Sequence, residues 1–244
     1  SQKKELGYKY KVVDPSNINV IPLGFDLSRF REKTDEKRNS FRQKYLLGDD
    51  EIAIGIIGSL VPVKNHSMFI LAAKTVLKQT KKKVRFFIIG NGESCQQLIR
   101  ESEGCGINTA YFPDDPRKAE LTFCSWIKDV DIAVAGLDII GLTSYNEGTP
   151  VSLIEAQAGG KPIVTTNVGS IQNVVKENET AFLVESNLPD KFASALLSLI
   201  ENEELRNQFG RNGWEVVRDR FHYTRLVSEM SALYNNLLTK GYGR

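Results

Sequence analysis

Two glutamates with seven residues between them, Glu147 and Glu155, bracket a Gly148-Thr149-Pro150 step. Glu155 is the one charged residue between Gly148 and Gly160. Such a pair could be a general acid and base. The step between them suggests other chemistry. Thr149 reads as a helix N-cap and Pro150 suits the first helical position, so a helix is predicted over "VSLIEAQA". Proline has no N–H, and Ser152 stands where a Glu or Gln would close a capping box. The amides of Val151 and Ser152 are thus open to an anion. Glu155 lies one turn further on, among Val151, Ile154 and Ala158, and is expected to be partly buried. A buried carboxylate needs donors, and vicinal sugar hydroxyls would supply two. Glu147 lies on the other side of the anion seat and could take a second set of hydroxyls. Hydroxyls, phosphate, hydroxyls is the order of a sugar nucleotide. On this reading neither glutamate needs a shifted pKa or a proton-transfer role.

Other residues could join the site. Lys64, in "GSLVPVKNH", precedes a helix start, where a cation opposes the helix dipole unless an anion repays it. It is either a phosphate contact or a surface lysine. Gly90-Asn91-Gly92 is either a phosphate cradle or a tight turn. "VGS" (Val168 to Ser170) either lines the same cleft or caps a helix. The two histidines, His66 and His222, read as local hydrogen-bonding residues. The sequence offers no convincing Ser-His-Asp set and no metal cluster.

The elements that must position these residues follow from pattern. The chain has 244 residues, 41% hydrophobic and 25% charged, enough for a sizeable core. Its net charge of +2 argues against nucleic acid as a partner. Cys95, Cys105 and Cys124 form no Cys-x-x-Cys pair, which fits a reducing cytoplasm. No apolar run is long enough to cross a bilayer. Strands are predicted at Asn19 to Leu23, Ile52 to Gly58, Val84 to Gly90, Leu121 to Cys124, Asp138 to Ser144, Pro162 to Thr166 and Ala181 to Val184. Helices are predicted after Asn65, a possible N-cap, and over "SCQQLIRES", "VSLIEAQA", "SIQNVVKE", "LPDKFASALLSLIENEEL" and "WEVVRDRFHYTRLVSEMSALYNNLL". This alternation predicts an α/β fold, a Rossmann-like parallel sheet with helices on both faces. Ligands of such sheets bind beyond the carboxyl ends of the strands. The loops concerned are 59–64, 91–93, 125–128, 145–149 and 167–170.

"SYNEGTPVSLIEAQAGGKPIVTTNVGS" closely resembles the Glu-x7-Glu signature of retaining glycosyltransferases of the two-domain GT-B type, family 4. "NVIPLGFDLSRF", "GIIGSLVPVKNH", "FFIIGNGE" and "FCSWIKDVDIAVAGLDIIGLTS" are similar to further segments of that family, in its order, from about Asn19 to Val184. The resemblance implies one half of a GT-B architecture that binds a nucleotide-diphosphate sugar, a UDP-sugar first. Lys64 would contact the diphosphate and Glu147 the transferred sugar, as the catalytic pair. Glu155 would hold the ribose. Gly148 and the amides of Thr149, Val151 and Ser152 would seat the diphosphate, with Ser59, Gly90, Asn91 and Gly92 near it. The backbone at Trp126 and Ile127 would meet the base.

The chain departs from the family pattern in places. Ser59 stands where the family has an arginine, Leu23 replaces an asparagine, Ser125 replaces a glycine, and residues 108–120 look inserted. The implied activity is retaining hexosyl transfer to a glycan or lipid-linked acceptor in polysaccharide, capsule or cell-envelope synthesis. The departing phosphate would take the acceptor's proton, with fixed donors and Lys64 in place of a metal ion, so the resemblance implies neither metal nor cofactor. Residues 1–18 are expected to be a linker from an amino-terminal acceptor domain, and 19–244 the donor domain. The last helices, about 213–239, are expected to pack toward that absent domain, and the chain alone to be catalytically incomplete. A cytoplasmic enzyme, peripheral to the membrane when full-length, is implied. The alternatives are a sugar-nucleotide epimerase of the same architecture, disfavoured by the scarcity of histidine, and a non-catalytic nucleotide-sugar binding module.

Overall fold

The computed structural model describes residues 3 and 5–241. The chain divides into two compact units, Ser28–Val216, and Ser1–Leu27 with Val217–Arg244. Of the expected linker 1–18 and donor domain 19–244, residues 1, 2, 4 and 242–244 lie outside the described residues.

The larger unit runs α1 (Thr34–Lys44), β1 (Ile52–Ile57), α2 (His66–Gln79), β2 (Val84–Ile89), α3 (Cys95–Gly104), β3 (Thr109–Phe112), β4 (Leu121–Cys124), α4 (Val130–Gly136) and β5 (Ile139–Leu142). It continues through α5 (Val151–Ala158), β6 (Ile163–Thr166), β7 (Ala181–Val184), α6 (Pro189–Glu201) and α7 (Glu203–Val217), whose last residue falls to the smaller unit. The strands form one seven-stranded sheet in the order β3-β4-β2-β1-β5-β6-β7. Every pairing is parallel, as in Ile52↔Val84 between β1 and β2 and Ile54↔Ile139 between β1 and β5. The sheet order reverses between β1 and β5, where ligands of such folds collect.

Both faces of the sheet are covered, which is why its central strands are continuously apolar. On one face Phe69 of α2 meets Phe86 of β2 edge-on at 5.7 Å between centroids. Phe192, Leu196 and Leu199 of α6 extend this core. On the other face Phe41 of α1 meets Phe87 at 5.5 Å. The one charged residue within β2, Arg85, is buried and satisfied: it donates to the carbonyls of Ala119, Tyr45 and Leu46 and to Thr122 Oγ1.

Several expectations fail for local reasons. Asn19–Leu23 is not a strand. Pro22 has no N–H for a ladder, and the carbonyls of Pro22 and Leu23 accept from the Arg225 guanidinium at 2.7 and 2.8 Å. The stretch 108–120 contains β3, an edge strand with one neighbour. "SIQNVVKE" forms only a 3₁₀ turn at Ile171–Asn173. "LPDKFASALLSLIENEEL" breaks at Asn202, which is extended and whose Oδ1 accepts from the Leu205 amide at 2.9 Å. The last predicted helix is likewise interrupted between Val217 and Tyr223. Helices α1 and α4 were not predicted.

In the smaller unit a π-helix (Glu5–Lys9) and a 3₁₀ turn (Pro15–Asn17) precede an isolated bridge between Phe25 and His222, and α8 (Tyr223–Gly241) follows. A side chain at Gly24 would strike Leu226 Cβ at 2.7 Å, so this backbone runs tight against α8. Val227, Tyr234, Leu237 and Leu238 of α8 are exposed. Among the described residues no helix is long and apolar enough to cross a membrane.

Candidate donor site

The loops at the carboxyl ends of β1, β2, β5 and β6 are tied to one another. The Tyr145 amide donates to the Val63 carbonyl at 2.8 Å, and Thr143 Oγ1 donates to the Lys64 carbonyl at 3.1 Å. Thr166 Oγ1 donates to the Ser144 carbonyl at 2.7 Å, and the Ser170 amide to the Glu147 carbonyl at 3.1 Å. Thr143, Ser144 and Thr166 are fully buried. Sequence reasoning missed all three.

This stitching brings Lys64 to Glu147. Lys64 Nζ lies 2.6 Å from Glu147 Oε1, and Ser144 Oγ donates to the same oxygen at 2.6 Å. The Glu147 side chain is only 7% exposed and Lys64 26%, so this is a sheltered ion pair rather than a surface one. Lys64 is therefore not a loose surface lysine: Glu147 is the anion that repays its place before α2.

Helix α5 covers the predicted "VSLIEAQA", but its cap differs. Pro150, not Thr149, holds the N-cap position, with no side-chain cap bond. The Leu153 amide donates to the Pro150 carbonyl at 3.1 Å, which sets that register. The amides of Gly148, Thr149, Val151 and Ser152 have no partner among the described residues. This row of donors borders the Lys64–Glu147 pair in sequence, at the positive end of a helix.

Glu155 is partly buried, as predicted, but its carboxyl is pushed up to about 7. Burial is the main cause, Asp131 adds to it, and Arg29 opposes it. The shift corrects the expectation of an ordinary carboxylate. Arg29 is held by Asp131, with Nε 3.1 Å from Oδ1, and Lys37 Nζ lies 2.9 Å from the other oxygen.

The glycine turn has a packing explanation. Gly90 has φ +149°, and a Cβ there would lie 1.9 Å from the Gly58 carbonyl oxygen. The Gly92 amide donates to Asn91 Oδ1 at 2.8 Å. Gly169, at φ +55°, similarly leaves room for the Glu147 carbonyl, 1.9 Å from where its Cβ would be. "VGS" thus supports the Glu147 loop and caps no α-helix. Ser59 and Asn91 are exposed, Trp126 is 64% exposed, and Ile127 is partly buried. His66 is not the hydrogen-bonding residue expected: it is buried, neither ring nitrogen has a partner among the described residues, and burial with Lys64 nearby pushes it down to about 4. His222 Nδ1 does pair, with Thr224 Oγ1 at 2.8 Å.

A cleft of about 490 Å³ opens at the other end of the sheet, beside Ile52, Asp138 and Lys161. Arg38 pairs there with Asp138 at 2.9 Å.

A parallel Rossmann-like sheet with tied loops beyond its carboxyl ends places the chain among α/β proteins that bind ligands there. The chain belongs to the glycosyl transferases group 1 family, whose model matches residues 37–216. It is 28% identical over 240 residues to an Escherichia coli UDP-Gal:alpha-D-GlcNAc-diphosphoundecaprenol alpha-1,3-galactosyltransferase, covering 98% of this chain and 59% of that protein. It is 26% identical over 231 residues to a D-inositol 3-phosphate glycosyltransferase of Corynebacterium efficiens, covering 93% and 52% respectively. The chain thus spans between half and three-fifths of the length of these curated relatives. Its fold matches Anabaena HepE, solved in complex with UDP-glucose, with a TM-score of 0.81 at 18% identity, over 97% of this chain and 62% of that one.

Proposed function

We propose that this chain is the donor-binding part of a retaining glycosyltransferase and takes a UDP-sugar. The observation that carries the reading is the Lys64–Glu147 pair next in sequence to four amides at the start of α5 that have no partner among the described residues. The diphosphate lies on those amides within reach of Lys64. Glu147 faces the transferred hexose and Glu155 the ribose. The backbone at Trp126 and Ile127 meets the base. Breaking the bond between the anomeric carbon and the β-phosphate oxygen leaves negative charge on UDP. Lys64 and the α5 amides stabilise that charge in place, and the freed phosphate takes the acceptor's proton. The acceptor, a glycan or lipid-linked saccharide of the cell envelope, is held by a further domain of the whole protein, at the membrane surface. This chain alone binds donor without transferring it.

Calorimetry with UDP, UDP-glucose, UDP-galactose and GDP tests the reading. Uridine nucleotides bind and Glu155→Ala weakens them. Full affinity in that variant would sink the ribose assignment. EDTA leaves UDP affinity unchanged, because Lys64 and the amides carry the charge. In the whole protein, the product's anomeric configuration matches the donor's.

A further inference from the structure

We infer that Ser144 is a positioning residue of the sugar subsite, holding the Glu147 carboxylate in place while Lys64 engages the diphosphate. The inference rests on the donor reading above and concerns the division of labour within it. Lys64 and Ser144 both donate to one oxygen of Glu147, Oε1, at 2.6 Å each. The other oxygen, Oε2, has no partner among the described residues. A carboxylate held through one oxygen presents the other in a fixed direction, and two lone pairs there suit the hydroxyls of a hexose.

The two donors are not equivalent. Lys64 sits on a long, flexible stem and carries a charge that an arriving diphosphate competes for. Once it turns to the phosphates, Glu147 would be free to swing unless a second donor remained. Ser144 is that donor. Its side chain is short and fully buried, at the end of β5. Its own carbonyl is pinned by Thr166 Oγ1 at 2.7 Å. It cannot follow the ligand, so it keeps Glu147 aimed at the sugar whichever way Lys64 points. Gly169 and the Ser170 amide, packed on the Glu147 carbonyl, fix the backbone of the same residue.

The test compares UDP with UDP-glucose and UDP-galactose, by calorimetry on the whole chain. The readout is the ratio of sugar-conjugate affinity to UDP affinity. Ser144→Ala is expected to shift that ratio against the sugar by about three- to tenfold while UDP affinity stays within about twofold, the size of one ordinary hydrogen bond. Ser144→Cys, which keeps a weak donor, falls between. Glu147→Gln shifts the ratio in the same direction, and Lys64→Ala weakens UDP itself. An unchanged ratio in Ser144→Ala overturns the inference and leaves the donor reading intact. Equal loss of UDP and UDP-sugar in that variant also overturns it, showing a merely structural role. A wild-type chain that binds no uridine nucleotide overturns both.

Discussion

At the scale of single residues, the carboxyl of Glu155 has consequences that its sequence position does not show. Burial pushes it up to about 7, against the pull of Arg29. Its ionised form is therefore disfavoured in the folded chain, and this group withdraws stability as pH rises from the ordinary carboxylate value towards 7. On the proposed ribose assignment, hydroxyls would donate to the ionised form, so binding would oppose that trend. UDP affinity is expected to fall by about tenfold between pH 8 and pH 6, and Glu155→Gln to flatten the profile at a lower level. Calorimetry across that range checks it, and a profile identical in the variant would assign the titration elsewhere. Lys64→Ala carries a second expectation. It removes a charge-assisted contact and leaves Glu147 with Ser144 as its remaining donor, so UDP affinity drops by roughly 10- to 100-fold. The pairing of Lys64 with Glu147 and the burial of Glu155 involve residues that stand out in the sequence, as charges in an apolar stretch or beside a helix start. Ser144, Thr143 and Thr166 do not. Hydroxyls at strand ends carry no charge and no period, and their role depends on loops far apart in sequence. The Glu155 shift was hidden for the same reason, since its burial and its neighbours Arg29 and Asp131 come from other segments.

At the scale of elements, the loops work because backbone approaches backbone. Gly90 lies against Gly58, and Gly169 against Glu147, each closer than any side chain permits. Gly90→Ala is expected to destabilise the chain by at least about 2 kcal/mol, from the left-handed backbone together with the overlap. Urea unfolding measures it, and a loss under about 0.5 kcal/mol would mean that the two loops move apart freely. The strands of the sheet centre were readable as continuous apolar runs, because β1 and β2 are covered on both faces. β3 was not, since an edge strand needs only one apolar face and here follows polar sequence. The segment after β6 misled in the opposite sense. Its apolar spacing suits a helix, but Gly169 turns left-handed to reach the Glu147 loop, and the chain makes a single 3₁₀ turn instead. Pro150 rather than Thr149 caps α5 because Pro150 can supply the first accepting carbonyl without itself being helical. The amides of Val151 and Ser152 are left without partners among the described residues.

At the scale of the whole chain, stability and exposure separate. The core of the larger unit joins α2 and α6 to the sheet through fully buried side chains, Phe69 and Phe192 among them. The smaller unit exposes Val227, Tyr234, Leu237 and Leu238 along α8. Apolar residues in the two places should answer mutation very differently. Phe69→Ala opens a cavity under the sheet centre, where β1 and β2 cannot close in because both are paired on either side. It is expected to cost about 3–5 kcal/mol. Leu237 is 55% exposed and loses little on truncation, so Leu237→Ala should stay within about 0.5 kcal/mol. Chemical denaturation of both variants, followed by circular dichroism, tests the contrast. A Leu237→Ala cost approaching that of Phe69→Ala would show that the α8 stripe is covered in solution, and a dependence of that cost on protein concentration would identify the cover as a second copy of the chain.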